Sequence, residues 1–167
     1  YIYIKGINLK ENYGQHSAIF CGLKNCKGEI VVCMDDDMQH DPKHVLNMAS
    51  ELNNYEVCYV KYKKREHNYI KILISKLNNH ISSFLMRKSH KIYTSSFKCF
   101  NKKIAKKIIS NDETFVFLDY WIFQYTNSIT CLEVTHNKRM SGNTNYGLRQ
   151  LITLWSKMIF LIEVNKY

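Results

Sequence analysis

The chain has 167 residues, 46% of them apolar and 23% charged, the balance of one globular domain with a core of its own. One proline and 6 glycines exclude a low-complexity or linker-rich chain. A net charge of +10, from 24 basic against 14 acidic residues, points to a polyanionic partner (phosphates, nucleic acid or an anionic membrane) without choosing among them.

In chain order, the strand-like opening Tyr1-Ile2-Tyr3-Ile4 extends to a predicted strand over Ile2 to Leu9. Asn12-Tyr13-Gly14-Gln15 is a turn. A helix follows from Gln15 to about Cys26, with Ala18, Ile19, Gly22 and Leu23 on one face and Gly28 as its stop. Glu29 to Met34 is short, β-branched and bounded, and so predicts a buried strand. Asp41-Pro42 predicts a helix start, Asp as N-cap and Pro at the first helical position, for a helix that carries Val45, Leu46, Met48, Ala49 and Leu52. Glu56 to Tyr62 is a strand and Lys61 to Arg65 a basic run.

Helical spacing of Ile70, Leu73, Ile74, Leu77, Ile81 and Leu85 predicts a helix over 70–86. Ser96 to Phe100 is a strand, and Asn101 caps a basic helix from Lys102 to Ile109. Phe115 to Tyr125 is an aromatic-rich helix and Ile129 to Val134 a strand. His136 to Asn145 is a polar loop, and Tyr146 to Val164 an amphipathic stretch. There is no internal repeat, and the alternation of strands and helices argues for one α/β sandwich. Cys21, Cys26, Cys33, Cys58, Cys99 and Cys131 form no C-x-x-C pair and read as reduced core thiols. No apolar run is long enough to span a bilayer.

Asp35-Asp36-Asp37 stands at the carboxyl end of the predicted buried strand, where open α/β sheets place ligands. Alternation along a strand lets Asp35 and Asp37 share a face while Asp36 points away. Two acids so spaced can hold a hard divalent cation, and through it a diphosphate.

Five segments in register resemble the inverting family 2 glycosyltransferases: Asn12-Tyr13-Gly14-Gln15-His16-x-Ala18; Gly28 with Met34-Asp35-Asp36-Asp37-Met38-Gln39-His40-x-Pro42; Ser95-Ser96-Phe97-Lys98; Phe117-Leu118-Asp119; and His136-x-x-Arg139-x-x-Gly142-x-Thr144-x-Tyr146. The chain is most similar to the polyprenyl-phosphate group, which includes dolichyl-phosphate mannose synthase. The resemblance implies a GT-A fold, a mostly parallel sheet flanked by helices, over residues 1–145, followed by an amphipathic membrane-interface helix over 146–167. It implies transfer of a sugar from a nucleotide-diphosphate donor to a lipid-linked phosphate at the cytoplasmic face of a membrane, in cell-envelope glycan synthesis. The family's first strand and helix, which hold the nucleotide base, are expected before Tyr1, so the domain reads as amino-terminally incomplete and as a poor donor binder in isolation.

By the same resemblance, Asp35, Asp37 and Gln39 are the ligands of Mg²⁺ or Mn²⁺, and Asn12 and Gly14 lie against the donor; Asp36, within the acidic run, and Arg65, which closes the basic run, are further donor-side candidates. Arg139 belongs to a loop that closes over the donor and acceptor phosphates, where a guanidinium can grip two oxygens at once. Lys98 stands where the family has Arg; it keeps the charge and loses the planar fork. Asp119 is a base, an orienter of the acceptor or a partner of Arg139, although an ionised phosphate acceptor needs little deprotonation. The expected partners are thus a nucleotide-sugar, a lipid phosphate and a membrane surface. Nucleic acid is not among them, because the aromatics lie in apolar segments rather than along a basic stripe. Two other readings stand beside this one: a transferase with a glycan hydroxyl acceptor, which would need a true base, and a non-catalytic basic membrane-binding relative.

Overall fold

A computed structural model describes residues 3–63, 80, 81, 83, 92–110, 117–134, 153, 156 and 159. In order they form α1 (Gln15–Asn25), β1 (Ile30–Cys33), α2 (His44–Glu51), β2 (Val57–Tyr62), β3 (Lys98–Asn101), α3 (Lys102–Ile109), α4 (Leu118–Tyr125) and β4 (Ile129–Val134). The strands make one four-stranded sheet in the order β1-β3-β2-β4. β3 runs antiparallel to β1 and to β2, and β2 is parallel to β4. Three strands therefore share a direction and β3 threads between two of them the opposite way.

The carboxyl ends of β1, β2 and β4 meet at one edge of the sheet, together with the start of β3. The register is fixed by pairs such as Cys33↔Lys98, Tyr59↔Lys98 and Tyr59↔Cys131. Opposed residues share a face, so Cys33, Lys98, Tyr59 and Cys131 form one row across all four strands.

Alternation gives the sheet two apolar faces. On one, Val31, Val57, Tyr59 and Phe100 pack with Leu23 of α1, Ile104 and Ile108 of α3 and Leu118 and Ile122 of α4. On the other, Cys58, Val60, Phe97 and Cys99 pack with Met48 of α2. The sheet lies between helices on both faces. α3 follows β3 without a loop because Asn101 ends the strand and caps the helix: its Oδ1 accepts the Ile104 N–H at 3.0 Å. All six cysteines are free thiols.

Several expectations are corrected. Residues 3–9 form no strand; they are almost wholly exposed, and no ladder holds them among the described residues. β1 is less buried than a core strand, because it lies at the sheet's edge: Val31 is buried, whereas Ile30 and Met34 are each 42% exposed. α1 ends at Asn25, ahead of Gly28, where the Cys26 N–H turns back to the Leu23 carbonyl. On α1, Ala18 faces solvent while Ile19 and Leu23 face the core. The regular part of α2 starts at His44, preceded by a turn in which Asp41 Oδ1 accepts the Lys43 N–H at 3.0 Å, the bond expected of an N-cap ahead of Pro42. On α2, Leu46 is 78% exposed and Met48 carries the packing. Most of the helix predicted over 70–86, the loop from His136 to Asn145 and most of the stretch from Tyr146 to Val164 lie outside the described residues. No helix among the described residues is long and apolar enough to cross a membrane.

Replacing Asn101 by Ala should lower stability by about 1 kcal/mol, the usual worth of an N-cap side chain. Urea denaturation followed by circular dichroism would measure it, with the midpoint falling and the slope unchanged.

Candidate functional site

The first wall of the site is the turn into α1. Asn12 Oδ1 accepts the Gly14 N–H at 3.0 Å, and the Gly14 carbonyl accepts from Ala18 at 3.2 Å, so Gly14 both ends the turn and begins the helix. Gly14 has φ 85° and ψ 168°, a conformation that only glycine adopts without strain. A Cβ there would meet nothing within 4 Å, so the need for glycine is conformational and not one of space. The next residue, Gln15, reaches across to the acidic loop: its Nε2 donates to Asp35 Oδ1 at 3.1 Å.

The acidic loop begins where the β1–β3 ladder stops, at Cys33↔Lys98. From Met34 to Gln39 exposure alternates: Asp35, Asp37 and Gln39 are half-buried, while Met34, Asp36 and Met38 are exposed. Asp35 and Asp37 are thus partly covered and Asp36 is open to solvent. Asp37 Oδ1 accepts the Gln39 N–H at 3.1 Å, closing a turn in which Met38 takes φ 63°, an uncommon conformation for a residue with a side chain. The Asp35 N–H donates to His40 Nδ1 at 2.9 Å. Tyr62, at the carboxyl end of β2, feels both acids: burial, and then the charges of Asp35 and Asp37, push its phenol up to about 12, so it stays protonated at neutral pH.

A second grouping lies on the row across the sheet. The Lys98 ammonium donates to Asp119 Oδ1, and the Tyr59 hydroxyl donates to the same oxygen at 2.8 Å. The Lys98 side chain is 6% exposed and that of Asp119 14%, so this is a buried ion pair. Lys98 also stands over the Tyr59 ring, 5.2 Å from its centroid. Tyr59 is held well above the ordinary phenol range by burial and by the Asp119 charge, which keeps its proton in place as a donor. Burial likewise pushes the Cys33 thiol up to about 11, although Lys98 opposes the shift.

The sequence-predicted residues thus fall into two groups at one edge of the sheet. Asn12 and Gly14 join Asp35 through Gln15, and Asp37 joins Gln39; Lys98 and Asp119 join each other, linked to the acidic loop through the Cys33↔Lys98 pair. Arg65 and Arg139 lie outside the described residues. Three contributors were not singled out from sequence. Gln15 and His40 carried a signal, since both stand within the motifs; Tyr59, an ordinary strand aromatic by sequence, carried none.

Asp35, Asp37 and the Gln39 amide offer hard oxygen donors, the set suited to Mg²⁺ or Mn²⁺. No three His, Cys, Asp or Glu side chains among the described residues converge on one point. The set fits a cation that completes its shell with water and substrate phosphates, the habit of Mg²⁺, and not an all-protein cage.

The model of a family described as glycosyl transferase family 2 matches residues 1–109. The undecaprenyl-phosphate 4-deoxy-4-formamido-L-arabinose transferase of Aeromonas hydrophila is 26% identical over 159 residues, which is 92% of this chain and 48% of that protein. The protein of the same name from Yersinia pestis is 26% identical over 160 residues, 94% of this chain and 48% of its own length. The chain spans about half the length of the curated relatives it matches. Among solved structures, glucosyl-3-phosphoglycerate synthase from Mycobacterium tuberculosis in complex with phosphoglyceric acid aligns with a TM-score of 0.60 at 13% identity, over 90% of this chain and 54% of that one. The same enzyme in complex with Mn²⁺, UDP-glucose and phosphoglyceric acid gives 0.59 at 13% identity, with 90% and 54% covered. At these identities the likeness is one of fold, the GT-A arrangement expected from the motifs.

Because the Lys98–Asp119 pair is buried, breaking it from one side should be costly. Asp119→Leu alone should destabilise the chain by about 3–5 kcal/mol, since it strands a buried ammonium, whereas the double variant Lys98→Met/Asp119→Leu should recover most of that loss. A double-mutant cycle by chemical denaturation measures the difference.

Proposed function

This chain belongs to glycosyl transferase family 2, and from that premise we propose that the end of its sheet carrying Asp35 and Asp37 binds a nucleotide-diphosphate sugar, whose sugar passes with inversion to a polyprenyl phosphate. The observation that carries the reading is that Asp35 and Asp37 are both half-buried beside an exposed Asp36, both act on the Tyr62 phenol, and are held by Gln15 of α1 and by the Gln39 N–H of their own loop. Support for the acceptor comes from the names of the similar transferases, which act on undecaprenyl phosphate. Support for the donor and metal comes from the fold neighbour crystallised with Mn²⁺ and UDP-glucose.

Asp35 and Asp37, with the Gln39 amide, would hold the cation. Bound there, Mg²⁺ or Mn²⁺ supplies positive charge to the departing diphosphate. The chain's own residues do the rest. The Asn12–Gly14 turn gives a close backbone approach for the donor. Arg65 and Arg139, both outside the described residues, are the side chains we assign to the phosphate oxygens. An acceptor phosphate oxygen displaces the diphosphate at the anomeric carbon in one step, forming one C–O bond as the other breaks.

Such an acceptor is already ionised and asks for no base. Asp119 fits that chemistry, since its Oδ1 already accepts from Lys98 and Tyr59; we assign it to holding Lys98. This favours the lipid phosphate over a glycan hydroxyl acceptor. A lipid acceptor places the reaction at a membrane surface, on its cytoplasmic face where nucleotide-sugars are found, and the +10 net charge suits an anionic bilayer.

Calorimetric titration of UDP and GDP, with and without Mn²⁺, into this chain and into Asp35→Ala and Asp37→Ala tests the donor site. One nucleotide should bind only with Mn²⁺ present, and both variants should lose that binding. Equal binding with and without the metal, or by the variants, would reject the reading.

A further inference from the structure

We propose that His40 is a positioning residue that sets the orientation of Asp35 by accepting its backbone N–H. The inference rests on the reading of Asp35 as a donor-site ligand and adds to it a residue that acts through Asp35 without touching the ligand. Three observations carry it. First, the β1–β3 ladder ends at Cys33↔Lys98, so the Asp35 N–H lies beyond the last strand pair; His40 Nδ1 takes it at 2.9 Å. Second, that bond needs a bare lone pair on Nδ1, which places the ring proton on Nε2. Nε2 lies 3.4 Å from Ser96 Oγ and 3.9 Å from Asp35 Oδ2, so a single ring faces both the backbone and the carboxylate of Asp35.

Third, the ring is itself immobile. His40 is 7% exposed, stacked on Phe97 with centroids 4.8 Å apart and planes at 15°, and on Tyr62 at 6.2 Å and 16°. Phe97 belongs to the buried core on that side of the sheet, and Tyr62 packs against it. The position of Asp35 is thereby referred to the core through one rigid imidazole, while Gln15 fixes its other oxygen from α1. Groups that orient a metal's ligands in this way commonly govern affinity as strongly as a weak ligand does.

The test compares the chain with His40→Phe, which keeps a flat ring for the stack and removes both nitrogens, and with His40→Asn, whose Oδ1 can stand near the place of Nδ1. Two readouts are taken: hydrogen exchange at the Asp35 amide without metal, and Mn²⁺ affinity in the presence of UDP. In His40→Phe the Asp35 amide should exchange faster and Mn²⁺ should bind about 10- to 100-fold more weakly, with a cooperative unfolding transition retained; His40→Asn should restore much of both. Exchange at Asp35 that is the same in the parent and in His40→Phe overturns the proposal. So does an Mn²⁺ affinity that His40→Phe leaves unchanged. If the parent binds no Mn²⁺ but its Asp35 amide is still protected by His40, the metal reading fails and the positioning contact stands. Should His40→Phe not fold, the imidazole ¹⁵N spectrum of the parent decides: a protonated Nε2 beside a bare Nδ1 supports the proposal, and the opposite tautomer overturns it.

Discussion

The β1–β3 ladder stops at Cys33↔Lys98, and everything beyond that pair must be held by something other than the sheet. Backbone groups that leave a ladder still need partners, and a run of acids cannot find them in apolar packing. The chain solves this with three short tethers of different kinds. A helix side chain, Gln15, holds one carboxylate; a ring, His40, holds the backbone beside it; and the second carboxylate, Asp37, closes a turn on the Gln39 amide. Together the three tethers hold the loop in place beyond the end of the ladder. Preorganisation of this kind is what lets a site stabilise charge without rearranging when it forms.

Charge is also managed inside the sheet. Lys98 lies in the row that joins all four strands, where an unpaired ammonium would be expensive. Asp119 of α4 meets it, and Tyr59 of β2 fixes the same oxygen. The pair stitches α4 to the central strand. A buried pair is weak evidence of stability for its own sake, because two apolar residues could fill the same space. The fold brings the pair together by running β3 backwards between β1 and β2, which sets Lys98 beside Tyr59.

Local rules made much of this legible. Asn101 between a strand and a basic helix announced a cap, and it is one. The period of two through Asp35, Asp36 and Asp37 matches their exposure, half-buried at Asp35 and Asp37 and open at Asp36. Contacts between distant parts of the chain were illegible. Lys98 meets Asp119 only because β3 and α4 pack, and no spacing in the sequence encodes that. Position in the sheet was hidden as well: Glu29 to Met34 has the composition of a core strand, yet β1 is an edge, so Ile30 and Met34 remain open. Apolar alternation misled over residues 3–9, where β propensity had no neighbouring strand to act on. His40 escaped because a ring returning to the amide of Asp35 follows neither helical nor strand periodicity.

The central claim is that one edge of the sheet, around Asp35 and Asp37, is where a metal and a nucleotide diphosphate meet. Mn²⁺ is paramagnetic and broadens the signals of nearby amides, so the ¹H–¹⁵N spectrum of the labelled chain, recorded with UDP as Mn²⁺ is added in trace amounts, tests it directly. The account predicts that Asp35, Asp37 and Gln39 broaden first, and only when UDP is present, while Ser128 at the opposite edge is spared. Broadening that starts elsewhere, or that spreads evenly over the exposed acids with no dependence on UDP, would contradict it.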